Sequence, residues 1–128
     1  MIKVLIVDDI RGWIDFHSAV IKELFGENAE IYKAESAAEA NNKLIENTNS
    51  PYDIILTDLQ MEDDYAPKLA GEWLVEQIKT FSQYYRTKIV IISASYNARM
   101  IADNLGVFCI PKTTARTCIS AYKEILLN

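Results

Sequence analysis

Short β-branched runs alternate with longer stretches in which apolar residues recur every three or four positions. The runs are Val4-Leu5-Ile6-Val7, Glu30-Ile31-Tyr32, Ile54-Ile55-Leu56-Thr57, Ile89-Val90-Ile91-Ile92 and Val107-Phe108-Cys109-Ile110. Three of them are continuously apolar, as expected of parallel strands covered on both faces. Between the runs the period changes to that of helices. Trp13, Phe16, Val20, Ile21 and Leu24 mark a first helix. Ser36 followed by Glu39 forms a capping box that opens a second over Ala37 to Glu46. Trp73, Leu74, Ile78 and Phe81 mark a third, and a short fourth runs from about Asn97 to Leu105, with Gly106 as its C-cap. A fifth follows Thr113 or Thr114, with Cys118, Ile119, Tyr122, Ile125 and Leu126 at helical spacing.

Five such βα units predict an α/β fold: a five-stranded parallel sheet, helices on both faces, right-handed crossovers and a (βα)5 three-layer sandwich. Five strands favour the flavodoxin-like order 2-1-3-4-5, with residues 1-128 as one domain. In open sheets of this kind the functional site lies at the carboxyl ends of the strands, where the strand order switches.

Composition narrows the function classes. Half of the 128 residues are hydrophobic, enough for one packed core, and the net charge is -5. An acidic chain of this kind does not present the clustered Lys and Arg that direct nucleic-acid binding requires. No stretch approaches the roughly 20 apolar residues that span a bilayer, and the run after Met1 is too short for a signal peptide, so no membrane insertion and a cytoplasmic location are expected. Cys109 and Cys118 make no disulfide framework and fall in no metal-ligand spacing; buried reduced thiols are the expectation.

The chemistry gathers at the predicted carboxyl edge. The first strand ends in Asp8 and Asp9, the third in Asp58, the fourth in Ser93 and the fifth in Pro111-Lys112. Each has an ordinary explanation taken alone: a turn or cap acid, a strand-end hydroxyl, a surface lysine. Together they set three carboxylates, a hydroxyl and an ammonium against one another. Crowded carboxylates need a compensating cation. With no His or Cys ligand at that edge, a hard divalent ion such as Mg2+ (or Mn2+) fits better than zinc. A carboxylate beside such an ion and a lysine is suited to nucleophilic attack on phosphorus.

These residues, Asp8-Asp9, Asp58 within Leu56-Thr57-Asp58-Leu59-Gln60-Met61, Ser93-Ala94 and Lys112, resemble the receiver domain of two-component response regulators of the chemotaxis-regulator type over essentially the whole chain. The resemblance implies a phosphoacceptor switch that catalyses only its own phosphorylation and dephosphorylation. Asp58 would be the phosphoacceptor. Asp9, Asp58 and the backbone carbonyl of Gln60 would hold Mg2+, with Asp8 acting largely through water. Lys112, Ser93 and Ala94 would bind the phosphoryl group. Gln60 and Ser95 would tune the lifetime of the phosphate. A sensor histidine kinase or histidine phosphotransfer protein would be the donor, and the surface of helix 4, strand 5 and helix 5 would relay the change and support a homodimer.

The chain departs from the family at three places. The aromatic switch position before the lysine is Cys109, with Phe108 beside it; Tyr96 reads as a loop aromatic. Pro111 precedes Lys112 where the family has a Lys-Pro pair. The glycine that matches the family's is Gly71, thirteen residues after Asp58, so an insertion within Glu62 to Ala70 brings Asp63 and Asp64 into the loop, either as a solvated loop or as a partner-contact or metal-tuning element. The alternative function is a phosphorylation-independent interaction module on the same fold. A flavodoxin is disfavoured by Asp8-Asp9 where phosphate would sit, a P-loop by the lack of GxxxxGK, and a DxD-type phosphatase by Gln60. His17 is expected as a helix-face residue of the first helix, away from the site edge. Trp13 is expected mainly as core packing, with its indole close to the metal as the sharper reading.

Overall fold

The computed structural model describes all residues from Met1 to Asn128. The five expected strands form: β1 (Ile2–Val7), β2 (Ala29–Ala34), β3 (Ile54–Thr57), β4 (Lys88–Ser93) and β5 (Phe108–Pro111). All are parallel, in the order β2-β1-β3-β4-β5. The helices are α1 (Arg11–Phe25), α2 (Ala37–Glu46), α3 (Ala70–Thr80), α4 (Ala98–Leu105), α5 (Lys112–Thr117) and α6 (Ile119–Leu126).

Strand alternation divides the interior in two. Leu5, Val7, Ile55, Ile89 and Ile91 face Leu44 of α2, Leu74 and Ile78 of α3 and Ala102 of α4. Val4, Ile6, Leu56, Val90, Ile92 and Ile110 face Ile14 and Ile21 of α1 and Tyr122 and Leu126 of α6. Each fully buried Leu or Ile contributes about 2 kcal/mol from apolar burial. Sealing both faces is what leaves the strand ends as the place for polar chemistry.

Helix ends follow the local chemistry. The Ser36 hydroxyl accepts from the Glu39 amide at 3.0 Å, one arm of the expected capping box, while the Glu39 carboxylate accepts from the Glu35 amide at 2.9 Å rather than from that of Ser36. At the end of α4, Gly106 takes φ 71°, so its N–H reaches Asp103 at 3.2 Å while Val107 N–H reaches the Ala102 carbonyl at 3.0 Å. That pair of bonds needs the left-handed residue that glycine supplies without strain.

The C-terminal helix differs from its expectation. It starts at Lys112, directly after Pro111, and breaks at Cys118, whose backbone is extended at φ -140°, ψ 90°. The first piece carries Thr113, Thr114 and Thr117, all poor helix formers, and the Thr117 hydroxyl donates back to the Thr113 carbonyl at 3.2 Å. The break leaves Cys118 half-exposed, and Cys109 is half-buried, so neither is the buried thiol that was expected.

Candidate functional site

Backbone pairing places the site. Val7 pairs with Thr57 in the β1–β3 ladder, and one residue further the Asp58 amide still donates to the Val7 carbonyl at 3.0 Å. The Asp8 amide likewise donates to the Ala34 carbonyl of β2 at 3.1 Å. Asp8 and Asp58 are therefore fixed side by side at the carboxyl edge. Ser93 and Pro111 pair across β4 and β5, which sets Lys112 next to Ser93 at the same edge.

The side chains converge. One carboxylate oxygen each from Asp8, Asp9 and Asp58 lies within 4.8 Å of the others. Asp8 and Asp58 are buried, whereas Asp9 is exposed and forms the open side. Lys112, buried, donates to Asp58 Oδ2 at 3.0 Å. Its Nζ stands equally close, at 3.0 Å, to Asp8 Oδ2, but without the alignment of a hydrogen bond. Asp8 Oδ2 is thus a buried acceptor whose charge partner is the Lys112 ammonium that it shares with Asp58. Asp8 Oδ1 accepts from Ile10 N–H at 2.9 Å, and Asp58 Oδ1 accepts from Leu59 N–H at 2.7 Å.

Electrostatics give the same picture. Burial pushes the Asp8 carboxyl above its ordinary value, and the neighbouring Asp58 adds to the rise, partly offset by the Ile10 amide and Lys112. One ammonium faces three carboxylates, so negative charge remains uncompensated. The single ammonium shared between Asp8 and Asp58, the all-oxygen donor set and the open side at Asp9 suit a hard divalent cation rather than a soft one.

The remaining expected residues are distributed unevenly. Ser93 is buried, and its hydroxyl accepts from the Ser95 amide at 3.1 Å. Ala94 is exposed, and the buried Ser95 hydroxyl has no partner. Gln60 lies exposed two residues past Asp58. Cys109 packs against the α4 side of the core, and Phe108 is exposed. Tyr96 is fully exposed, consistent with a loop aromatic.

The inserted loop does not thicken the acidic cluster: Asp63 and Asp64 are exposed and stand outside it. Glu62 instead reaches back to α2, accepting from the Ala37 and Ala38 amides at 2.8 and 3.2 Å. Tyr65 stacks on Trp73 at 4.2 Å. The loop then delivers Gly71 against the site strand, where its N–H donates to the Leu59 carbonyl at 3.0 Å. A Cβ at Gly71 would fall 1.9 Å from the Asp58 carbonyl oxygen, so only glycine fits.

His17 lies on the buried face of α1. It is 2% exposed, and its Nδ1 is 2.8 Å from the Tyr122 hydroxyl. Burial, with a smaller contribution from the charge of Lys112, pulls it down to about 4, so it is neutral near pH 7. The α1–α6 packing that encloses it joins residues 105 positions apart. Trp13 does approach the site: its ring centroid is 5.0 Å from Lys112 Nζ.

No family model matches the sequence. Solved structures do. The chain is similar to the chemotaxis response regulator CheY4 of Vibrio cholerae, at 22% identity over 98% of this chain and 99% of that one, with a TM-score of 0.75. It is similar to the phosphorylated cyanobacterial phytochrome response regulator RcpA, at 20% identity over 98% and 94%, with a TM-score of 0.79. The response regulatory domain of protein mrkE from Klebsiella pneumoniae gives 22%, 98% and 96%, and 0.77. The fold is that of a receiver domain. The five-stranded order expected from the sequence is therefore the order of the receiver fold. No helix is long and apolar enough to cross a membrane.

Proposed function

We propose that residues 1-128 act as a response-regulator receiver domain that accepts a phosphoryl group on Asp58. The observation that carries this reading is the buried Lys112 ammonium, 3.0 Å from both Asp8 and Asp58 at the carboxyl edge of a receiver-type sheet. Asp58 supplies the nucleophilic oxygen: a new oxygen–phosphorus bond forms as the donor's bond to phosphorus breaks, and the leaving group takes the electron pair. Lys112, already on Asp58 Oδ2, neutralises the charge that Asp58 brings to the encounter and then that of the transferred phosphoryl oxygens. Ser93 presents a buried hydroxyl beside it, and Ser95 and Gln60 flank the opening.

Asp8, Asp9 and Asp58, with the Gln60 carbonyl, would hold Mg2+ (or Mn2+). That ion would supply charge neutralisation for the phosphoryl transfer. The donor class is a sensor histidine kinase or histidine phosphotransfer protein. The surface of α4, β5, α5 and α6 would relay the change and support a homodimer. With Cys109 where receivers carry an aromatic, the relay does not use a Ser93-to-aromatic exchange. The same departure favours, as a second reading, an interaction module that works without phosphorylation.

Incubation with Mg2+ and acetyl phosphate, followed by intact mass measurement, tests the function. The expected result is one added phosphoryl group, dependent on the divalent ion and lost in Asp58→Asn. An unmodified wild-type protein under conditions where the ion binds would instead support the interaction module.

A further inference from the structure

Lys112 is held from two sides. On one side are Asp8 Oδ2 and Asp58 Oδ2, each at 3.0 Å. On the other is the indole of Trp13, its centroid 5.0 Å from Nζ. A lysine ammonium sits on a flexible four-carbon stem, so every group packed around it contributes to where it points. An aromatic face attracts a cation electrostatically, most strongly where water is excluded, and Lys112 is buried.

Trp13 is itself fixed from behind. Its ring meets Phe16 edge-on at 5.5 Å and lies over His17 at 5.4 Å. His17 is anchored by the Tyr122 hydroxyl at 2.8 Å, and Tyr122 is fully buried on α6. The indole is only partly buried, and its outer side meets Arg116, 5.4 Å from the ring. A residue present only to fill the core would not need to meet two cations.

We infer that Trp13 is a positioning residue: its indole face holds the Lys112 ammonium against Asp8 and Asp58, with the His17–Tyr122 pair bracing the indole. This rests on the phosphoacceptor reading for its consequence and on side-chain geometry for its existence. Lys112 acts on the phosphoryl group during transfer. Losing its orientation therefore lowers the maximal phosphorylation rate and leaves the half-saturating donor concentration in place.

Two readouts test it. In the metal-free protein, NMR of the Lys112 ε-methylene shows an upfield ring-current shift that is largely kept in Trp13→Phe and lost in Trp13→Leu. With Mg2+ and acetyl phosphate, Trp13→Leu is about tenfold slower at saturating donor, while Trp13→Phe stays within about threefold of wild type. Trp13→Met replaces the leucine variant if that does not fold. An unshifted Lys112 resonance in the wild type, or aliphatic and aromatic variants that phosphorylate equally fast, overturns the inference. If the wild type takes up no phosphoryl group while the ring-current pattern holds, the phosphoacceptor reading fails and the positioning role of Trp13 stands.

Discussion

Asp8 carries an electrostatic cost within the acidic cluster. Burial, with another acid beside it, pushes its carboxyl up, although the lysine it shares with Asp58 offsets part of the rise. Removing that charge removes the penalty. Asp8→Asn should therefore stabilise the metal-free protein in urea denaturation while weakening divalent-ion binding. A destabilised variant would mean that Lys112 already compensates Asp8 in full. His17 makes a pH prediction. Its folded value of about 4 lies below its ordinary 6.5, so the unfolded chain takes up the proton first. The stability tied to neutral His17 is complete above about pH 6.5 and is lost as pH falls toward 4. The difference corresponds to about 3 kcal/mol, and Asp8, raised rather than lowered, works in the opposite sense. Denaturation midpoints at pH 7 and pH 4.5 should separate more in the wild type than in His17→Gln. Equal separation would show that His17 accepts its proton without opening the α1–α6 packing.

At the scale of elements, the two connections around the site are specified by contacts rather than by length. The loop after β3 is longer than the family pattern, yet it still ends by pressing Gly71 onto the Asp58 backbone. Gly71→Ala should cost about 3 kcal/mol, because the clash is with main chain that cannot move without displacing Asp58. Thermal unfolding checks the stability, and slower phosphorylation of the surviving folded fraction checks the displacement. Glu62 caps α2 from the same loop, so Glu62→Ala should lower stability by about 1 kcal/mol.

These elements also show where a sequence can be read. Strands β1, β3 and β4 are legible because both faces are buried, and the Ser36–Glu39 cap because its partners are three residues apart. Asp8, Asp9, Asp58 and Lys112 are legible as a set because the strand order alone brings their positions together. Glu62 on α2 and His17 against Tyr122 are not legible. Their partners lie 25 and 105 residues away, and neither residue type announces a buried contact at that range. The break at Cys118 is half-visible: the threonines weaken the helix, but the apolar spacing runs straight through it.

For the whole molecule, topology decides where the chemistry lies. A parallel sheet sealed on both faces leaves one polar edge, and four strands of different sequence position deliver acids, a hydroxyl and a lysine to it. A covalent label can establish which acid reacts. Borohydride reduces an aspartyl phosphate to homoserine, so the protein is treated with Mg2+ and acetyl phosphate, reduced, digested and sequenced by mass spectrometry. The account predicts homoserine at position 58 alone, absent without the divalent ion. Homoserine at position 8 or 9, or no homoserine in a protein that has gained a phosphoryl group, would contradict it.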